Sequence, residues 1–289
     1  MLSSLNSGVT GLHNFQSKLD VIGNNIANSN TLAFKAARTN FADTFSQTLQ
    51  GGSTAGGAIQ VGTGMQVSSI KNDYRLGGYQ ETGIESNLYI DGKEGFFIVK
   101  DFDGVEHATR AGDFVRDKDG YLVTNDGFRL QGFSDHVAKD GTMTTRGDIR
   151  IFDDPNARPI TPLRTDAEYA GYAIRPDGRV RIRLDDGSEY DAGQVLLQKF
   201  EDPNLLEKQG NNLFGNLREA GPLGGDALTS TVPGTGGTGQ IKSKSLEMSN
   251  VDLGSEFADM ITTQRGFQAN ARIITTSDEM LQEVVNLKR

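Results

Sequence analysis

The closing stretch, 249-SNVDLGSEFADMITTQRGFQANARIITTSDEMLQEVVNLKR-289, decides the fold. Leu253, Met260, Phe267, Ile274 and Leu281 recur every seven residues. Phe257, Ala271 and Val285 fall on the partner position, with Gln264 and Asp278 interrupting. That spacing is an a/d-type apolar seam. It predicts one helix of about 35 residues, roughly 50 Å long at 1.5 Å per residue. Asp252 or Ser255 would cap its start, and Asp252 also suits the positive end of the helix dipole. Lys288 and Arg289 sit at the negative end. A helix this long with an apolar stripe needs a partner, from its own chain or from another copy.

The other end of the chain carries a matching pattern. Leu5, Leu12, Leu19 and Ile26 repeat every seven residues, and Leu2 and Val9 extend the stripe. Gln16 and Gly23 occupy the next equivalents of Leu2 and Val9, so the stripe weakens, while Phe15 and Ile22 widen it. The run NNIANSN is rich in cap-forming residues and predicts a stop near Asn28. Two amphipathic helices covering a globular core would also satisfy this pattern. Terminal position, heptad spacing and polar interruptions in both seams favour the two ends packing on each other. As a self-assembly seam the pattern nominates Leu5, Val9, Leu12, Leu19, Ile26, Leu253, Phe257, Met260, Phe267, Ile274 and Leu281.

The middle changes character. Asp-Gly pairs at 91–92, 103–104, 119–120, 126–127, 177–178 and 186–187 separate short runs rich in Val, Ile, Phe, Tyr and Leu. Asp-Gly between such runs is a hairpin signal. The expected fold is α+β, with a helical layer from residues 1–32 and 246–289 and an antiparallel β body from 81–218. Gly/Ser/Thr-rich stretches lie within 33–80 and 219–245, which are expected to be extended connectors between them. Glycine makes up 36 of 289 residues, in keeping with many turns.

Much chemistry is excluded. The net charge of −9 and the lack of any Lys/Arg cluster argue against nucleic acid and anionic membrane as partners. No cysteine is present, so there is no disulfide and no thiolate metal site. His13, His107 and His136 share no metal-ligand spacing, and DKDG at 117–120 lacks the later glutamate of a calcium loop. No GxSxG elbow occurs. GTGGTG at 234–239 is not followed by the Lys-Ser/Thr step of a phosphate loop. The expectation is no catalytic residue, no cofactor and no metal. No run approaches the ~20 apolar residues of a membrane span, and the N-terminus lacks the basic start and apolar core of a secretory signal.

Three motifs carry a resemblance. SGVTGLHNFQSKLDVIGNNIANSNTLAFKAARTNFAD (7–43) resembles the opening of bacterial flagellar rod and hook proteins. EGFFIV (94–99) and ATRAGDFVRDKDGYLVTNDGFRLQG (108–132) are similar to that family's β-domain signature. SLEMSNVDLGSEF, continuing to the C-terminus, resembles its closing motif. The match spans nearly the whole chain in the family's order. FADTFSQTL (41–49) and IITTSDEMLQEVVNLKR (273–289) look more like the hook branch. Only residues 133–192 separate GFRLQG from GQVLLQKF, which is similar to short hook proteins with a reduced outer domain. The distal rod branch, whose subunits are of similar size, is the alternative.

The resemblance implies a tubular homopolymer whose inner layer is the terminal helices and whose outer layer is the β body. It implies further partners: distal rod and hook–filament junction proteins, a hook cap during assembly, and the flagellar type III export apparatus. It implies a place in the extracellular hook or basal body, reached without a cleaved signal peptide, and a bendable structure that transmits torque. In that family, additional structure in the region of residues 47–65 distinguishes straight from bendable assemblies.

Overall fold

The computed structural model describes residues 2–50, 59–134, 146–151, 169–222 and 230–287. The fold is α+β, and the chain divides into two compact units. One gathers Met1–Ser29, Lys35–Asp73 and Val251–Arg289; the other gathers Asn30–Phe34 and Tyr74–Asn250.

The first unit holds helix α1 (Leu2–Ala27), strands β1 (Ala37–Asp43), β2 (Ser46–Gln50), β3 (Ile59–Gly62) and β4 (Met65–Asn72), and helix α2 (Leu253–Leu287). The Asp252 carboxylate accepts the Gly254 N–H at 3.0 Å, so Asp252, rather than Ser255, caps α2. Helix α1 ends where Asn28 turns back, its side-chain amide and backbone N–H both donating to the Asn24 carbonyl at 2.9 and 3.1 Å. Lys288, Arg289 and His136 lie outside the described residues.

Residues 33–80, expected as connector, largely form strands. β1 pairs antiparallel with β4, and β2 with β3, making one long two-part hairpin. At its joint the Thr44 N–H and hydroxyl both donate to the Gly64 carbonyl, at 3.0 and 2.9 Å. The inner half alternates, with Thr39, Phe41, Met65 and Val67 half-buried and Arg38, Asn40, Gln66 and Ser68 exposed. This half lies against α1. Two asparagines of α1 hold it there. Asn14 donates to the Met65 carbonyl at 2.6 Å and accepts the Val67 N–H at 3.1 Å. Asn25 donates to the Ala37 carbonyl at 2.9 Å and accepts the Ala37 N–H at 3.0 Å. Phe15 meets Phe41 edge-on, with ring centres 6.1 Å apart.

The paired strands described in the second unit are all antiparallel, with one short 3-10 turn at Pro203–Leu205. The unit comprises β5 (Tyr79–Glu81), β6 (Leu88–Asp91), β7 (Gly95–Lys100), β8 (Glu106–Thr109), β9 (Val115–Arg116), β10 (Leu122–Val123), β11 (Arg129–Phe133) and β12 (Arg146–Asp148). It continues with β13 (Tyr169–Ile174), β14 (Arg179–Leu184), β15 (Glu189–Val195), β16 (Leu197–Lys199), β17 (Glu207–Gly210), β18 (Leu213–Gly215), β19 (Gln240–Ser243) and β20 (Ser245–Glu247). The main sheet runs β13-β14-β15-β11-β7-β8-β18-β17, while β19 pairs with β6 and β20 with β5.

Strand β7 shows why the sheet has a core on each face. Its GFFIV run is buried from end to end. Phe97 and Val99 join a cluster with Leu88, Phe114, Leu130 and Ile149, whereas Phe96 and Ile98 join Phe200, Phe214 and Leu217. Alternation sends neighbouring side chains to opposite faces, so a continuously apolar strand implies two cores.

Five of the Asp-Gly pairs build one kind of turn. Gly104, Gly120, Gly127, Gly178 and Gly187 all have φ between 80° and 87°. Each N–H bonds to a carbonyl three residues back, as in Gly104 to Asp101 at 3.0 Å. This is a three-residue hairpin loop with glycine in the left-handed position, one residue longer than the tightest Asp-Gly turn. The pair at 91–92 makes no hairpin, because β6 pairs with β19. There glycine serves close approach: a Cβ on Gly92 would lie 2.6 Å from the Cα of Gly239.

Much of 219–245 also departs from the expected connector. Thr231 and Leu197 exchange backbone hydrogen bonds at 2.7 and 3.0 Å, and β19 is paired. GTGGTG closes on itself, with the Gly234 N–H donating to the Gly239 carbonyl at 2.6 Å. Residues 223–229 lie outside the described set, as do 51–58 on the other expected connector.

Candidate self-assembly surface

The two helices run antiparallel within the first unit. Gly8 faces Ile274, Gly11 faces the side chain of Asn270, and Gly266 faces the ring of Phe15. A Cβ would sit 2.8 Å from Asn270 at position 11 and 2.9 Å from Phe15 at position 266. Glycine therefore sets the closeness of this helix pair.

The covered residues of α2 are Glu256, Met260, Thr263, Gly266, Phe267, Asn270, Ala271, Ile274, Ser277 and Leu281. Met260, Phe267, Ile274 and Leu281 are half-buried among them. On α1, Leu5, Leu12, Leu19 and Ile26 are half-buried too. The partner position differs in part from expectation: Thr263, Asn270 and Ser277 are covered, Ala271 is half-buried as well, and Phe257 and Val285 are exposed. Thr263 and Ser277 are the buried residues of α2, at 1% and 4% exposure. Thr263 satisfies its hydroxyl on the Asp259 carbonyl at 2.6 Å. An account of apolar residues alone overlooks this row, as it does Gly8, Gly11 and Gly266. The signal was a second heptad of small and polar residues at 263, 270 and 277.

The remaining apolar residues are on the outside. Leu253, Phe257, Ile261, Ile273, Met280, Val284 and Leu287 are 42% to 86% exposed, and Val9 on α1 is 37% exposed. At about 100° per residue they form two groups. Leu253, Phe257 and Ile261 lie on one flank of the seam, in the first third of α2. Ile273, Met280, Val284 and Leu287 lie on the other flank, in its last half. Val285 points along the seam, but the antiparallel register carries it past Leu2, and it is 65% exposed.

Among the described residues, no group of three or more His, Cys, Asp or Glu side chains could hold a metal ion. His13 is exposed on α1 and His107 is buried on β8. No described helix is long and apolar enough to cross a membrane.

Comparison with known proteins agrees with this layout. Residues 5–35, covering most of α1, match the family model for the flagella basal body rod protein. Residues 89–182 match that for the flagellar hook protein FlgE/F/G D1 domain. Residues 242–287, covering α2, match that for the flagellar basal body rod FlgEFG protein C-terminal region. The flagellar basal-body rod protein FlgG of Bacillus subtilis is 43% identical over 295 residues, covering 100% of both chains. The FlgG rod protein of Agrobacterium fabrum is 33% identical over 297 residues, covering 99% of this chain and 100% of its own. The flagellar hook protein FlgE of Borreliella burgdorferi is 29% identical over 448 residues, covering 100% of both. With three matched segments in chain order and full-length relatives, the chain belongs to the flagellar rod and hook protein family.

Proposed function

We propose that this protein is a subunit of the distal rod of the bacterial flagellum, which polymerises through its terminal helices into a straight tube and transmits torque. The observation that carries the polymer is the pair of exposed apolar flanks on α2. The flanks consist of different residues at different heights, so one copy offers two non-identical faces. Repetition of such a heterologous contact gives an open helical filament rather than a closed dimer. Each side chain gains roughly 1.5–3 kcal/mol when fully buried, so a few of them outweigh the exposure left in a single copy. The seam residues Leu5, Leu12, Leu19, Ile26, Met260, Phe267, Ile274 and Leu281 then hold the helix pair together. Val9, Leu253 and Phe257 face neighbouring copies.

Two findings support rod over hook. The 43% and 33% identical relatives are rod proteins. The strand pair β2–β3 supplies additional structure in the region that separates straight from bendable assemblies in this family. The hook is the second reading, favoured by the hook relative and by the FADTFSQTL and closing motifs. Under either reading the neighbours are further copies, then the adjoining rod, hook and junction proteins, with export through the flagellar type III apparatus and a cap at the growing end.

Electron microscopy of the concentrated full chain, with hook–basal-body fragments as seeds, tests this. Straight tubes support the rod and curved tubes support the hook. A chain that remains monomeric with seeds present overturns the polymer reading.

A further inference from the structure

The chain passes between its two units after Ser29, Phe34, Asp73 and Asn250. Within the second unit, the segments beside the last three passages meet at one residue. Glu247 is 2% exposed at the end of β20. Its backbone carbonyl accepts the Ala33 N–H at 2.8 Å. Its carboxylate accepts the Gly77 N–H at 3.1 Å and lies 3.6 Å from Nη1 of Arg110. Ala33 immediately precedes Phe34, Gly77 follows shortly after Asp73, and Glu247 shortly precedes Asn250.

The contacts around it tighten the same knot. The Met248 N–H donates to the Gly78 carbonyl at 2.7 Å, and the Asn250 side chain to the Arg75 carbonyl at 3.1 Å. A Cβ on Gly77 would fall 1.9 Å from the Met248 carbonyl oxygen, so only glycine permits this approach. Ala33 holds φ at 54°, a left-handed conformation that is unfavourable for alanine.

Arg110 anchors the knot to the β body. It is 1% exposed, sits 5.0 Å over the ring of Phe96, and donates from Nη2 to the Lys93 carbonyl. Among the described residues, its Nε and Nη1 have no hydrogen-bond partner. Burial lowers its pKa and the Glu247 charge opposes that shift. A guanidinium so deeply buried needs its counter-charge, because removing one member of such a pair leaves a costly uncompensated charge.

We infer that Arg110 and Glu247 form a latch, in which the buried ion pair clamps the segments beside three chain passages into one bundle. In a torque-transmitting subunit, a role that rests on the function proposed above, force entering along one passage is shared by the other two. Three independent tethers would not do this.

Hydrogen exchange on the unassembled full chain tests the latch. Glu247→Gln keeps the size and removes the charge. The expected result is a tenfold or greater rise in exchange at Ala33, Gly77 and Met248 together, with the β7 amides unchanged. A rise of less than twofold at these three amides, or an equal rise in β7, overturns the latch. The double variant R110M/E247M replaces the pair by apolar side chains and guards against a single variant that does not fold. It should melt close to wild type while Gly77, deprived of its acceptor, still exchanges at least tenfold faster. Wild-type protection at Ala33, Gly77 and Met248 in the double variant would mean that packing alone holds them, and the latch would be rejected. Exchange is measured without polymer, so a failed latch and a failed rod reading give separate results.

Discussion

The two units spend their apolar residues in opposite ways. In the β body, Phe96, Phe97, Ile98 and Val99 are fully buried and the sheet has a core on each face. On α2 the buried residues are Thr263 and Ser277, while eight large apolar side chains are at least 42% exposed. The β body is nearly saturated by its own chain, with Phe102, Val105 and Val115 among the exceptions; α2 fully buries small and polar residues and presents many apolar ones outward. The contrast separates what the single chain buries by itself from what the proposed polymer would have to cover. Isolated helices gain little in water, and most helical stability comes from packing of an apolar face. Here much of that face is exposed in the single chain, as the proposed polymer requires.

The largest effect should come from breaking the saturated unit. Phe97 packs edge-on against Phe114 with ring centres 5.3 Å apart, and it has no solvent exposure. Phe97→Ala should cost about 3–5 kcal/mol, read as a lower thermal midpoint of the unassembled chain. A loss under about 1 kcal/mol would mean that the body is not saturated.

The next effect separates seam from flank. Ile274→Asp places a charge against Gly8 in the helix pair. It should cost about 2 kcal/mol or more in the free chain, and it should abolish polymerisation. Phe257→Asp changes a side chain that is already half exposed. It should shift the free chain by no more than about 0.5 kcal/mol and still abolish polymerisation. Calorimetry and microscopy on the two variants give a two-by-two outcome. Tubes from Phe257→Asp would remove the flank from the assembly surface.

How much of this was legible in sequence follows from which residues repeat. Met260, Phe267, Ile274 and Leu281 could be read because large apolar residues at heptad spacing rarely serve anything but a helix seam. Their partner row could not, because Thr263, Asn270 and Ser277 look like solvent residues until a glycine-lined helix lies against them. Phe257 fits a seam by count, but its rotation puts it on the flank. GFFIV announced a strand, and five of the six Asp-Gly pairs announced hairpins, though not the extra residue in each loop. The hairpin of residues 37–72 was hidden for a different reason. The large apolar side chains on its half-buried inner face include just Phe41, Met65 and Val67 among the described residues, and its support comes from Asn14 and Asn25 on α1, far away in sequence. Nothing local to the hairpin encodes those bonds.

That dependence yields a smaller prediction. Asn25 is buried and satisfies both backbone groups of Ala37. Asn25→Ala leaves a donor and an acceptor without partners, at about 1–3 kcal/mol for such a group. The loss should be local, seen as faster exchange at Ala37 with the β7 amides unchanged. Asn14→Ala should do the same at Val67. If both amides kept their protection, the hairpin would be stable without α1, and the first unit would depend less on long-range support than its contrast with the β body requires.

The smallest effect tests whether the saturated unit has a blemish of its own. Asp113 is half-buried beside Asn125, whose side-chain amide donates to it at 2.5 Å. Burial raises its pKa above the ordinary 3.8, and the charge of Asp126 adds to this. A carboxyl with a raised folded pKa binds its proton more tightly in the native state than in the unfolded chain. Its stabilising contribution is therefore greatest below pH 3.8 and is lost as pH rises through the folded pKa. Above that point the burial penalty on the charged form is fully present. Asp113→Asn removes the titration, so the variant should gain on wild type as pH climbs through that window and hold a constant difference on either side. Denaturant midpoints of both chains from pH 3 to pH 8, about the accessible range for such a group, measure the difference. A difference that stays flat across the window, or one that shrinks with rising pH, would show that the hydrogen bond from Asn125 outweighs desolvation and that the body carries no such penalty at this site.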